Sequence, residues 1–387
     1  MKNICMILTF ALILCFMVGC QDKEPKTERT MEDGVEVIVN HLQPYRIKGE
    51  PNTLHLEEEF LIDTEKDDLV EIGLTDILCF DIDSEGNIYI LARQAEKDAI
   101  YKFDQKGNFV TTFGRLGQGP GEIVNTEHLT VGPMDDIIVA DPSRKLITYD
   151  KNGNFKKEVD LESLDMEAWP LVNGNYLVNK RTINPDSMYE EWPLILCDSK
   201  LEEIKELDRY RRFNWRTSGK FEIPSYDLVH SISNGKIYVG NSEKGYEIRE
   251  FDLEGNLEKK IRKEYQPVEV SEEFKKKTME EFENPRVAIL RDKIFFPKYL
   301  PAFQYFFTDD EGHLFVMTNE ESEIPGEYIY DIFNKEGLFI SRTSLGNLTG
   351  MSQWNLQHAT ARNKRLYCLK VKENEYKELV VYKMTWE

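Results

Sequence analysis

Cysteine is scarce in this chain, and no two cysteines are spaced as Cys-x-x-Cys. Cys5 and Cys15 fall in an N-terminal apolar run, and Cys20 closes it. The other three, Cys79, Cys197 and Cys368, each lie inside an apolar, strand-like run. They read as small buried hydrophobes, which excludes a disulfide framework or a cysteine-held metal. Histidine is equally sparse, and none of His41, His55, His128, His230, His313 and His358 pairs with another at His-x-x-x-His spacing. A helix-borne zinc site is therefore excluded. Positive charge is short too: 49 Lys and Arg stand against 70 Asp and Glu, a net charge of −21. That balance excludes a nucleic-acid partner, whose phosphates need a basic footprint. It equally excludes docking of the whole body onto anionic lipid. No Gly-Lys-Ser/Thr closes a glycine-rich run, and no serine or cysteine sits in a nucleophile elbow.

What is present begins with Lys2 and an apolar run from Ile4 to Val18. The run is too short for a comfortable membrane span and has the layout of a secretory signal. Its end, Met17-Val18-Gly19-Cys20, resembles the lipobox of bacterial lipoproteins, although Met17 stands where leucine is usual. In that family the cysteine is acylated and becomes the first mature residue. The resemblance implies a signal peptide at 1–19, a lipidated Cys20, and a membrane contact made only through the anchor. Acyl chains supply about 0.8 kcal/mol per buried CH₂, so the folded body need not touch lipid. Residues 20–50, polar and charged with Pro25 and Pro44, read as a flexible tether. The folded unit is expected over 51–387.

Within that unit one pattern returns. Phe80-Asp81-Ile82-Asp83-Ser84-Glu85-Gly86-Asn87-Ile88-Tyr89-Ile90 reads as strand, tight turn, strand. A second hairpin follows, with Asp104 to Asn108 as its turn. The pair recurs from Leu129, Leu171, Ile232, Asp309 and Arg362, giving six units; Gly107 and Gly153 mark an early spacing of 46 residues. Four strands per unit at ~40–50 residues is the period of a propeller blade. The expected fold is all-β, a six-bladed β-propeller of four-stranded antiparallel blades. Thr53 to Ile62 is a spare strand, expected to join the last blade and close the ring. Phe113 to Ile123, with four glycines and Pro120, reads as the bent connector between two units. A short helix is expected over 271–284, capped by Ser271 and ended by Pro285.

The Asp-x-x-Gly-Asn-x-Tyr and Phe-Asp-x-x-Gly-x-Phe patterns resemble NHL-repeat propellers. Gly117-Gln118-Gly119-Pro120-Gly121-Glu122, behind a lipobox, is similar to the six-bladed β-propeller lipoproteins of Bacteroidetes. The resemblance covers about 53–385 and implies a cell-envelope location, at the outer membrane, and no defined chemistry.

Three sets of residues compete for function. His128, His230 and His358 fall near the start of a first strand, and Asp76, Asp227 and Gln304 occupy similar places. Such strands line a propeller's channel, and ligand sites gather at its mouth. The bland alternative is a set of satisfied polar groups in a wet channel. The segment from Tyr210 to Thr217 reads as a basic, aromatic insertion between the third and fourth units. Its Arg211, Arg212, Trp215 and Arg216 suit a binding hot spot, where guanidinium forks meet carboxylates or sulfates and aromatic rings stack on sugars. The bland alternative is a loop whose arginines pair with neighbouring acids. Asp83-Ser84-Glu85 and Asp309-Asp310-Glu311 have the composition of calcium ligands but not the spacing of a calcium loop, and read as hairpins. No catalytic set and no cofactor motif emerges; a divalent cation such as calcium stays open, without a motif behind it. The expected function is a non-catalytic envelope module recognising a protein, peptide or glycan. The alternative is a metal-dependent hydrolase or lyase of the gluconolactonase-like kind, with its site at the channel mouth.

Overall fold

The computed structural model describes residues 27–46, 49, 51–92, 98–125, 128–141, 145–161, 166–184, 186–225, 228–324, 327–345, 359–372, 374 and 376–387. Its described strands form six radial sheets and one separate two-stranded sheet. Blade 1 runs Ile77–Ile82, Ile88–Ala92, Asp98–Phe103 and Phe109–Arg115, from the channel outward. Blade 2 runs His128–Val131, Ile137–Asp141, Lys145–Tyr149 and Phe155–Asp160. Blade 3 runs Met166–Pro170, Tyr176–Lys180, Tyr189–Cys197 and Glu203–Phe213. Blade 4 runs Leu228–Ser233, Lys236–Asn241, Glu247–Phe251 and Leu257–Lys263. Blade 5 runs Tyr305–Thr308, Leu314–Glu321, Tyr328–Phe333 and Phe339–Ser344. Blade 6 runs Ala359–Arg362, Arg365–Val371, Lys377–Trp386 and, last, Leu54–Asp63. That final strand lies antiparallel to Lys377–Trp386, with Leu379 opposite Ile62 and Trp386 opposite Leu54. The spare N-terminal strand thus closes the ring as its position in the repeat requires.

Side chains alternate across each strand, so every blade offers an apolar face to both neighbours. The core is accordingly divided into six clusters, one at each blade junction. Cys79 packs between blades 1 and 2, Cys197 between 2 and 3, and Cys368 between 5 and 6. All three are buried, and none forms a disulfide with another described residue.

Two segments depart from expectation. The tether reading fails over 28–40, where Glu28–Glu32 and Val35–Asn40 form a hairpin. Its second strand runs parallel to Leu257–Lys263 and extends blade 4 to six strands. Val37 and Ile38 are fully buried there. The Asn40 amide donates to the Gly337 carbonyl at 2.9 Å, and its oxygen accepts from the Phe339 amide. Arg262 and Lys260 hold the Glu32 carboxyl down to about 2. The alternation Val35, Val37, Val39 and the Asp33-Gly34 turn were the signal, hidden among acids. Cys20 lies outside the described residues. The second departure is at Tyr210–Phe213, which is no insertion. It continues the outer strand of blade 3 to its end, paired with Tyr189–Trp192. Only Asn214 to Ser218 leave the sheet, as one helical turn whose first amides Asn214 caps.

The helix forms at Glu272–Glu281, with the Ser271 hydroxyl accepting from the Phe274 amide at 3.0 Å. It belongs to the long connection from blade 4 to blade 5.

Strand direction gives the ring two unlike faces. One carries the tight turns within each blade. Asp83, Asp104, Asp150, Asp252 and Asp309 each accept main-chain amides two and four residues ahead. These carboxylates are therefore committed to turn geometry, in keeping with the hairpin reading of the Asp-rich turns. The other face carries the blade-to-blade connections and the starts of the channel strands.

Candidate functional site

The glycine-rich connector opens on the connection face. Gly114 and Gly121 take φ of 72° and 70°, a backbone that side chains resist. The Gly119 amide donates to the connector's own Glu122 carboxylate at 2.8 Å, and the Gly121 amide to Glu158 at 3.2 Å. A Cβ on Gly117 would meet Glu122 at 2.1 Å. The bend is filled from within, as a connector rather than an anion nest.

At the channel mouth the structure brings two expected residues together. His128 begins the inner strand of blade 2, and His230 lies on that of blade 4. Trp169, from blade 3, stands between them. Its indole N–H donates to His128 Nε2 at 3.1 Å, and its ring meets the His230 ring edge-on at 4.1 Å. An indole can only donate, so His128 Nε2 is unprotonated and Nδ1 carries the hydrogen. Enclosure within the ring lowers His128 to about 4; the same enclosure, and then His128 itself, lower His230 to about 3. Both imidazoles are neutral near pH 7.

Two other expected mouth residues, Asp76 and Gln304, are engaged elsewhere. Asp76 is tied to Lys377 of blade 6 at 2.8 Å. Gln304 donates to the Thr318 carbonyl of its own blade at 2.9 Å. Asp227 and His358 lie outside the described residues. Among the described residues, no three His, Cys, Asp or Glu side chains gather as metal ligands. Trp169 was missed because one aromatic in a strand carries no local mark of facing a channel.

The second candidate is the tip of blade 3. Strand alternation divides the expected arginines. Arg212 packs inward over the Trp192 and Tyr210 rings at 5.8 and 5.3 Å. Arg211 points outward, exposed, over Tyr189 at 5.8 Å. Arg209 is taken by Glu206 and Glu191. The Tyr189 ring stacks on Phe213 at 5.0 Å, and Phe213 meets Phe295 at 6.3 Å. Phe295 arrives from the distant blade 4–5 connection, because Ile294–Phe295 pairs in parallel with Phe221–Glu222. Lys220 lies over both Phe213 and Phe295, at 5.2 and 5.0 Å. Trp215 is flanked by Arg216 at 5.1 Å and Lys293 at 4.5 Å. The sequence reading found Arg211, Trp215 and Arg216 but not Tyr189, Lys220, Lys293 or Phe295, which long-range pairing delivers. Beside this tip, between blades 3 and 4, lies a groove of about 560 Å³. Asp208 in its wall is bound by Lys244 at 2.6 Å and by Arg249.

A family model described as a 6-bladed beta-propeller, DUF5128, matches residues 62–281. The chain belongs to this family. Among solved structures it is similar to a Bacteroides fragilis NCTC 9343 protein described as exported, with 14% identity and a TM-score of 0.50 over 90% of this chain and 99% of that one. It is also similar to BamB from Moraxella catarrhalis, with 12% identity and a TM-score of 0.35 over 85% of this chain and 100% of that one. Chaetomium thermophilum Raptor follows at 10% identity and a TM-score of 0.40, over 85% of this chain and 29% of that one. At such identities the likeness shows the fold alone. No curated protein matches the chain.

Proposed function

We propose that this DUF5128 propeller is a non-catalytic binding module of the bacterial cell envelope, held at the outer membrane by acylated Cys20. In this reading it is a six-bladed lipoprotein of the Bacteroidetes type with NHL-like blades, and it recognises an envelope protein, peptide or glycan through its connection face. The lipobox at 17–20 supports the anchor, and the described export of the B. fragilis protein agrees with it. The observation that carries the binding role is the blade 3 tip, where Arg211, Arg216 and Lys220 stand exposed against aromatic rings. Arginine and aromatic side chains are those most enriched in binding hot spots. At the channel mouth, by contrast, Asp76, Gln304 and His128 are already engaged by the fold.

The test is elemental analysis of the full chain purified in detergent, with and without chelator, alongside its melting temperature. A metal-free protein unmoved by chelator supports the binding module. A stoichiometric divalent ion whose removal lowers the melting temperature overturns it in favour of a metal-dependent hydrolase or lyase.

A further inference from the structure

The blade 3 tip has a chemistry that narrows the ligand. This protein carries a net charge of −21, and its surface cations commonly find acids: Lys151 with Glu85 at 2.7 Å, Lys156 with Asp136 at 2.6 Å, Lys372 with Asp63 at 2.7 Å. Arg209 even takes two carboxylates. Arg211, two residues further along the same strand, stands across from Glu191, but the Glu191 carboxylate is already held by Arg209. Arg211, Arg216, Lys220 and Lys293 make no ion pair with any described residue. Each instead lies against a ring. Glu222 follows Lys220 closely; burial and then Glu243 raise its carboxyl, Lys220 lowers it, and the two form no ion pair.

The arrangement repeats. Tyr189 with Arg211 is one unit, Phe213 and Phe295 with Lys220 a second, and Trp215 with Lys293 and Arg216 a third. The Tyr189–Phe213 and Phe213–Phe295 contacts link the first two, and the short chain from Lys293 to Phe295 links the third. Tyr189 and Phe295 are each 39% exposed, so their rings are open to a partner. A complementary ligand needs a repeat of one rigid apolar face and one anion. Sugars stack a C–H face on aromatic rings, and their carboxylates or sulfates suit guanidinium and ammonium groups. An acidic peptide has the anions without the rigid face. An anionic bilayer would present a plane of charge to the whole acidic body, whereas a single chain meets only the local patch within a Debye length of about 8 Å.

We propose that the tip of blade 3 binds an anionic polysaccharide, bearing carboxylate or sulfate, across Tyr189, Phe213, Phe295 and Trp215 and held by Arg211, Lys220, Lys293 and Arg216. This rests on the binding-module reading and names its ligand class.

The experiment uses the full chain in detergent, titrated with polygalacturonate, chondroitin sulfate, neutral dextran, poly-L-glutamate and vesicles containing anionic lipid. Polygalacturonate or chondroitin sulfate is expected to bind, more weakly as salt rises, and the stronger of the two identifies the anion. Dextran is expected not to bind. Arg211→Gln/Arg216→Gln/Lys220→Gln/Lys293→Gln should weaken binding by roughly tenfold or more. Lys106→Gln/Lys200→Gln, on the turn face, should not. If the quadruple variant melts early, the single variants Arg211→Gln and Arg216→Gln, both at exposed positions, give the same readout. Failure of both polysaccharides to bind, or binding unchanged in the variants, overturns the proposal. Poly-L-glutamate or vesicles binding as well as the polysaccharides, and lost in the variant, also overturns it while leaving the binding-module reading standing.

Discussion

The two faces of this ring solve the same problem, reversing the chain, in opposite ways. On the turn face one device recurs. An aspartate caps the amides two and four residues ahead, and a glycine with φ near 80° completes the turn. At Asp150 the Asn154 side chain donates to the same carboxylate at 2.9 Å, and that bond holds the carboxyl below its usual range. Among the described residues of the connection face no such device recurs. One connector folds around Glu122, another adds a helix at Glu272–Glu281, and a third ends blade 3 in a helical turn. Repetition marks what the fold needs. Variation marks where the fold leaves loop side chains uncommitted to a shared turn.

The largest effect that sharpens this comparison falls on the turn face. Gly153 has φ of 83°, and a Cβ there would meet the Phe113 ring at 2.5 Å. Gly153→Val combines left-handed strain with overpacking and should cost on the order of 3 kcal/mol. Chemical denaturation reads this as a drop in midpoint; an unchanged midpoint would break the view that the turns hold the blades in place.

A smaller effect belongs to the channel mouth. An unfolded imidazole takes its proton near pH 6.5, whereas His128 and His230 do so near 4 and 3 when folded. Between these values the unfolded chain binds more protons, so stability falls as pH falls. The melting temperature should decline from pH 6.5 to 4.5, and His128→Gln/His230→Gln should flatten that slope. An identical slope in the double variant would show that other groups set it.

The smallest effect is expected at the blade 3 tip. Arg216 is exposed and makes no ion pair with a described residue, so Arg216→Gln should change stability by less than about 0.5 kcal/mol. A large loss would make this arginine part of the scaffold and blur the contrast between the faces.

The architecture was legible because it is written locally and six times over. Each hairpin carries its own turn chemistry and its own two-residue alternation, and ring closure follows from counting strands. The 28–40 hairpin was less legible because its edge faces carry Glu28, Glu32 and Glu36, which mask the buried Val37 and Ile38. At the candidate sites the sequence marked residue types but not their directions. Arg211 and Arg212 are neighbours in the chain, yet one faces solvent and the other packs on Trp192, because an extended strand turns successive side chains to opposite sides.

By itself, the sequence determined the blade period and the capped turns, since each depends on neighbours a few residues apart, and the shared closing blade, which follows from counting the strands. Only the tertiary structure decided which groups meet. Trp169 stands between two histidines from the blades on either side, Phe295 reaches Phe213 from 82 residues away, and Arg209 takes the carboxylate that Arg211 would otherwise hold. The first contact joins three blades around the channel, the second rests on the parallel pairing of 294–295 with 221–222, and the third on the register of neighbouring strands in blade 3, so it is pairing in space that brings these side chains together, not their order along the chain.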